Sequence, residues 1–253
     1  MLHLVTIPCL KDNYAFLIHD AATGATGLVD VPEAAPIRAE LAARGWTLSH
    51  VFLTHHHWDH VDGLPDLAIG PEVAVIGAAA DAHRLPALTQ AVAPGDRIAF
   101  GSAEAEVIDV SGHTVGHVAY WLAQAGLAFT GDSLMAMGCG RLFEGRPGQM
   151  WQSLSRLRAL PPETLICSGH EYTESNARFA LTLDQPPALV ERLDRIARAR
   201  AAGQPTVPST LAEELATNPM LRAADPAMKA ALGLADASDA EVFATIRALK
   251  DKF

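Results

Sequence analysis

Seven consecutive residues, Thr54-His55-His56-His57-Trp58-Asp59-His60, follow the apolar run Val51-Phe52-Leu53. Their H-x-H-x-D-H spacing sets out two pairs of potential metal ligands. A chain leaving a buried strand into a tight turn can aim His55 and His57 at one ion. The next turn can then aim Asp59 and His60 at a second, while His56, between two ligands, should point away. Neutral imidazole and carboxylate suit divalent zinc, iron or manganese, and no thiolate narrows that choice.

Two ions need more ligands than one loop supplies. Three candidates stand directly after apolar, strand-like runs: His113 behind residues 107–112, Asp132 behind 127–131, and His170 behind 165–169. A glycine at or near the end of each run lets the backbone come close to a crowded centre. Strand C-termini are also where α/β architectures collect functional groups. His117 is placed to orient a ligand from behind, and His3, His19, His50 and His83 read as ordinary surface or core residues. The chemistry such a centre suits is hydrolysis. Metal coordination lowers the pKa of water from 15.7 to about 7, which takes roughly 12 kcal/mol off the cost of making hydroxide. A hydroxide bridging two ions, oriented by Asp59, would attack an ester-like carbonyl whose oxyanion one ion stabilises.

The elements that would position these residues are short. Residues 2–7, 14–18, 27–31, 50–54, 73–76, 97–100, 104–110, 118–122, 127–130 and 164–167 read as strands, rich in Leu, Val and Ile and bounded by Pro, Gly or Asp. Helical periodicity interrupts them at 35–44 and 150–160. Many short strands with few helices predict an α/β chain of two packed sheets with helices on the outer faces. After His170 the texture turns helical, at 174–183, 189–202, 209–216 and 238–249. In the third of these Thr210 and Glu213 are spaced as a capping box. The expected division is therefore 1–171, carrying the metal ligands, and 172–253, an all-helical segment.

Composition excludes several classes. Of 253 residues 49% are hydrophobic and 19% charged, the balance of a soluble globular protein, and the formal net charge of -10 argues against general nucleic-acid binding. Nothing approaches the roughly 20 apolar residues needed to span a membrane. No basic and apolar leader opens the chain. Cys9, Cys139 and Cys167 lie far apart and read as reduced thiols. The expectation is a cytoplasmic protein, with a monomer as the default.

With these residues in view the chain resembles the metallo-β-lactamase superfamily, and more closely the hydroxyacylglutathione hydrolase (glyoxalase II) family. The similarity runs nearly end to end. It is carried by Asp12-Asn13-Tyr14, Thr54 to His60, Ser111-Gly112-His113-Thr114 with Gly116-His117, Phe129-Thr130-Gly131-Asp132, Gly138-Cys139-Gly140-Arg141, Gly169-His170-Glu171-Tyr172-Thr173, Thr206-Val207-Pro208-Ser209-Thr210, and Arg247 with Lys250. The resemblance implies an αββα sandwich followed by a C-terminal all-helical domain. It implies that His55, His57 and His113 bind one divalent ion, that Asp59, His60 and His170 bind a second, and that Asp132 bridges them. Zinc is the expected metal, with iron or manganese as substitutes. Asp59 and Asp132 would then be the catalytic carboxylates.

The implied activity is hydrolysis of S-D-lactoylglutathione to D-lactate and glutathione, with Arg141, Phe143, Tyr172, Arg247 and Lys250 binding the glutathione. Two of these depart from the family's usual pattern, which has Lys where this chain has Arg141 and Tyr where it has Phe143. Arg keeps the charge and can pair bidentately with a carboxylate, whereas Phe143 lacks a hydroxyl. Arg247 and Lys250, three apart on one helix, share a face, which suits an anionic tripeptide on an acidic protein. The competing readings are a persulfide dioxygenase or another hydrolase of the superfamily, and a non-catalytic metal-binding protein. A mononuclear dioxygenase has no need of Asp59, His60 and His170. Structural zinc sites are closed and four-coordinate, which seven ligands for two ions are not.

Overall fold

Apolar residues on both sides of a strand require cover on both faces, and residues 13–20 show this, with every position but His19 buried. Successive side chains point to opposite faces, so Leu17 and Phe16 must find different partners. In the computed structural model, which describes residues 2–253, they do. The chain forms two compact units. One comprises residues up to Asp109 with Val115–Gly131, the other Val110–Thr114 with Asp132–Phe253.

The first unit runs β1 (Leu2–Cys9), β2 (Asn13–Asp20), β3 (Thr26–Val29), α1 (Ala34–Arg44), β4 (His50–Phe52), α2 (Trp58–Val61), β5 (Ala74–Ala78), β6 (Gln90–Val92), β7 (Arg97–Phe100), β8 (Ala103–Asp109), β9 (Val118–Leu122) and β10 (Leu127–Gly131). Strands β1 to β6 form one sheet in sequence order, antiparallel through β3 and parallel from β3 to β6. Strands β7 to β10 form an antiparallel run. An aromatic layer joins the two. Phe16 meets Phe129 edge-on at 5.6 Å, and Phe52 meets Phe100 at 6.0 Å and Tyr120 at 5.1 Å. On the opposite face of the first sheet Leu17, Leu28 and Val51 pack with Ile37 and Leu41 of α1.

The second unit runs β11 (Leu134–Met135), β12 (Gly138–Cys139), α3 (Pro147–Arg158), β13 (Leu165–Ser168), α4 (Thr173–Ala180), α5 (Pro187–Ala201), β14 (Ser209–Thr210), α6 (Leu211–Thr217), α7 (Pro226–Ala231) and α8 (Asp239–Lys252). Helix α3 packs on α8, with Trp151 and Phe243 at 6.1 Å. Two of the boundaries that shift have a visible cause. The helix expected from 209 starts at Leu211, because Ser209 and Thr210 first pair with Ile166 and Leu165. Thr210 then caps it with Glu213 in the expected reciprocal box. Strand β3 stops at Val29, because Asp30 has φ 55, a left-handed conformation that ends a ladder. No helix among the described residues is long and apolar enough to cross a membrane.

All three cysteines are free and buried. Burial, with Glu33 adding to it, pushes the Cys9 thiol up to about 12, and burial also raises Cys139 and Cys167. Since the thiolate is the reactive form, native protein at pH 8 should react slowly with a disulfide reagent. All three thiols should react promptly in denaturant. Rapid labelling of the native thiols would contradict this packing.

Candidate metal centre

The first unit builds its candidate ligands from the ends of two parallel neighbours, β3 and β4. Leaving β3, Asp30 turns its carboxylate inward beside the exit from β4. Its Oδ1 accepts from the Thr54 amide at 2.9 Å, and its Oδ2 accepts from the Thr54 hydroxyl at 2.8 Å and from His60 Nδ1 at 2.7 Å. An ionised carboxylate only accepts, so the Thr54 hydroxyl proton is spent on Asp30. The Thr54 oxygen is then left to accept from His55 Nδ1, 3.0 Å away. Both His55 and His60 thus carry their protons on Nδ1 and present Nε2 as a lone pair, the form a metal takes. His55 Nε2 faces His57 Nδ1 at 3.1 Å. Two ring nitrogens meet at that distance by sharing a proton or by turning lone pairs toward one cation. Asp30, His55 and His60 offer atoms within 4.8 Å of one another, but the hydrogen bonds of Asp30 make it their support.

The remaining residues of the loop are held as firmly. Asn13 donates from Nδ2 to both the carbonyl of Asp59, at 3.0 Å, and its Oδ2, at 3.1 Å, which fixes the rotamer of that carboxylate. His56 turns away, its Nδ1 3.1 Å from Asp81. His117 stacks on His55 at 4.5 Å with rings 10° apart. Gly131, with φ 48, admits no side chain, because a Cβ there would lie 2.6 Å from Thr54 Oγ and 2.8 Å from the His117 ring.

The second unit carries His113, Asp132 and His170, all buried. His113 Nδ1 donates to the Arg141 carbonyl at 2.7 Å, which again leaves Nε2 as the lone pair. That nitrogen lies 3.5 Å from Asp132 Oδ2, and His170 Nε2 lies 3.3 Å from the same oxygen. A lone pair facing a carboxylate oxygen is repulsive unless a proton or a cation lies between them. The donor set therefore fits a divalent ion. Gly140 makes this approach possible, since a Cβ on it would lie 2.1 Å from the Asp132 carbonyl and 2.9 Å from His113 Nδ1.

Of the residues expected to bind glutathione, two aromatic ones touch His113 and His170. Tyr172 stacks on His170 at 4.6 Å and 7°, and Phe143 meets His113 edge-on at 5.2 Å, both keeping exposed surface. Arg141 is exposed, its Nε 3.4 Å from Asp251. Lys250 Nζ lies 3.4 Å from the Ser175 carbonyl and over the rings of Phe179 and Phe253. Arg247 lies inside, donating to the Cys139 carbonyl at 3.0 Å and to Asp251 at 2.8 Å, so its guanidinium also anchors α8. Sequence reasoning missed Asp30, and it quoted Asn13 only within a matching motif without assigning it a role. The signal for Asp30 was an acidic residue inside the apolar run Gly27-Leu28-Val29-Asp30-Val31, the same kind of place that marked Asp132.

Comparison with known proteins agrees with this chemistry. A family model described as the C-terminus of hydroxyacylglutathione hydrolase matches residues 171–253, and one described as the metallo-beta-lactamase superfamily matches residues 20–170. The chain is 63% identical over 253 residues to a hydroxyacylglutathione hydrolase of Cereibacter sphaeroides, covering 100% of this chain and 99% of that one. It is 62% identical over 251 residues to one of Jannaschia sp., covering 99% and 98%. Among solved structures, ETHE1 from Myxococcus xanthus matches with a TM-score of 0.68 and 27% identity, over 98% of this chain and 90% of that one. A di-iron-bound form of TTHA1623 shares the fold, with a TM-score of 0.62 and 24% identity over 87% and 100%.

Replacing Asp30 with asparagine removes an acceptor that Thr54 and His60 both need. Asp30→Asn should retain about 10–100-fold less zinc affinity, as loss of an outer partner of a ligand does. Zinc remaining after dialysis against a chelator measures this, and retention equal to the wild type would contradict the role given to Asp30.

Proposed function

The chain belongs to the hydroxyacylglutathione hydrolase family of the metallo-beta-lactamase superfamily, and from that premise we propose that it hydrolyses S-D-lactoylglutathione and related 2-hydroxyacyl-glutathione thioesters. In this reading His55, His57 and His113 hold one divalent ion, Asp59, His60 and His170 hold a second, and Asp132 serves both. The observation that carries it is the tautomer control: His55, His60 and His113 all spend their Nδ1 protons on protein acceptors, leaving Nε2 for a cation. Zinc is the ion we assign first, with iron or manganese as alternatives of the same ligand chemistry. Such ions supply a nucleophile at neutral pH by acidifying water, and positive charge for a developing oxyanion.

The residues of the chain do the rest. Asp59, its carboxylate fixed by Asn13, orients the attacking oxygen. As that oxygen bonds to the acyl carbon the C–S bond breaks, and the sulfur leaves with the electron pair. A thiol pKa near 8.5 makes the thiolate a good leaving group without a dedicated acid. We assign residues 172–253, with Arg141 and Phe143, to substrate recognition. Glutathione carries two carboxylates and one ammonium, so Arg141 and Lys250 offer it local positive charge on a chain whose formal net charge is -10. Phe143 and Tyr172 offer apolar surface beside His113 and His170. Three buried thiols suit a reducing compartment, and we place the enzyme in the cytoplasm.

Steady-state hydrolysis of S-D-lactoylglutathione, compared with a lactoyl thioester lacking the tripeptide, tests the reading. A preference for the glutathione ester supports it, and no turnover of either would sink it. Lys250→Ala should raise KM about tenfold, worth about 1.4 kcal/mol, with kcat little changed. Burial, together with neighbouring Arg247, lowers the Lys250 ammonium to about 8. It is therefore charged below that pH and loses its hold on a carboxylate above it. The wild-type KM should climb between pH 8 and 9, and Lys250→Arg should flatten that climb. A KM indifferent to both substitution and pH would remove Lys250 from the site.

A further inference from the structure

Between Asp132 and Arg141 lies a hairpin of two two-residue strands, β11 and β12, with Leu134 opposite Cys139 and Met135 opposite Gly138. So short a ladder has little stability of its own. Its turn contains Met137 at φ 61, a region a long side chain rarely occupies. What holds the turn comes from the helices. Asn218 Nδ2 donates to the Met135 and Gly138 carbonyls at 3.1 and 3.0 Å, and Asn176 Nδ2 donates to the Ala136 carbonyl at 3.1 Å. The Met137 amide donates to Glu214 Oε2 at 2.8 Å, and the Cys139 carbonyl accepts from Arg247.

Glu214 is the centre of this arrangement and is fully buried. Its Oε1 accepts from Arg192 and, at 2.6 Å, from Ser209. Its Oε2 accepts from Met137 and, at 3.0 Å, from Asn218, the residue that grips the two flanking carbonyls. A buried carboxylate satisfied by four donors on separate segments is rigid, because moving any one strands a charge in a medium that cannot solvate it. The other end of the hairpin touches the metal ligands. The Gly140 amide donates to the Asp132 carbonyl at 3.0 Å, and the Arg141 carbonyl is the acceptor that sets the His113 tautomer.

We propose that Glu214 is a positioning residue for the metal centre. By fixing the Met137 turn it fixes where Gly140 and Arg141 lie, and through them the backbone of Asp132 and the proton on His113. The helical segment in this view helps build the metal ligands besides meeting substrate. The inference rests on the reading that His113 and Asp132 hold a metal.

The test is the zinc affinity of folded protein, measured by competition with a chromophoric chelator well below the unfolding temperature. Four proteins are compared: wild type, Glu214→Gln, Asn218→Ala, and Leu157→Ala, which opens a cavity at a buried position of α3 that takes part in none of these hydrogen bonds. Glu214→Gln and Asn218→Ala should each bind zinc about 10–100-fold more weakly, whereas Leu157→Ala should lower Tm and leave affinity at the wild-type value. If Glu214→Gln does not fold, Asn218→Ala carries the comparison. Unchanged affinity in the folded hairpin variants, or an equal loss in Leu157→Ala, overturns the inference while the metal reading stands. A wild-type protein that binds none of zinc, iron or manganese overturns both.

Discussion

One buried carboxylate, that of Asp30, decides what the first unit can offer a cation. A charge taken out of water costs several kcal/mol unless hydrogen bonds replace its hydration. Asp30 recovers it from the Thr54 amide, the Thr54 hydroxyl and His60. Those bonds are possible only because β3 and β4 are parallel neighbours in register and the chain turns at Asp30 into a left-handed conformation. From this one acceptor follow the rotor of Thr54, the tautomers of His55 and His60, and the direction of their lone pairs. The aromatic layer of Phe16, Phe52, Phe100, Tyr120 and Phe129 holds the two strand ends in place. Tyr120 adds a bond from its hydroxyl to the Leu53 carbonyl at 2.9 Å, next to the loop.

The second unit reaches the same end with neutral acceptors. A backbone carbonyl, that of Arg141, fixes His113, and glycine at 140 lets two chain segments come closer than any side chain would permit. The charge in this unit is deployed elsewhere. Glu214 and Arg192 neutralise one another in the interior, while Arg141 and Lys250 stand where solvent reaches them. Arg247 lies between these cases. Its guanidinium is committed to Cys139 and Asp251, so it supports the surface that carries Lys250 as well as adding charge to it.

Much of this was legible in sequence, and the parts that were not share a cause. The H-x-H-x-D-H loop, His113, Asp132 and His170 stood out because residue types able to bind a metal recur at ends of apolar runs, a local pattern. The capping box at Thr210 and Glu213 was legible because three residues define it. Strands β6, β11, β12 and β14 were not, since two or three residues display no period. Asp30 went unnoticed, Asn13 was quoted only in a motif and given no role, and Glu214 went unnoticed, for a different reason. Their partners lie 24, 46 and 77 residues away along the chain. No spacing rule announces a hydrogen bond made by folding. Likewise, spacing put Arg247 and Lys250 on one helical face but could not tell that the first would be buried and the second half-exposed.

In the proposed reading these separately anchored residues serve a pair of ions. Metal content of fully active protein, determined by elemental analysis against protein concentration, tests it most directly. Two divalent ions per chain are expected, with activity lost on chelation and restored in proportion to their return. Full activity with one ion or none would contradict it.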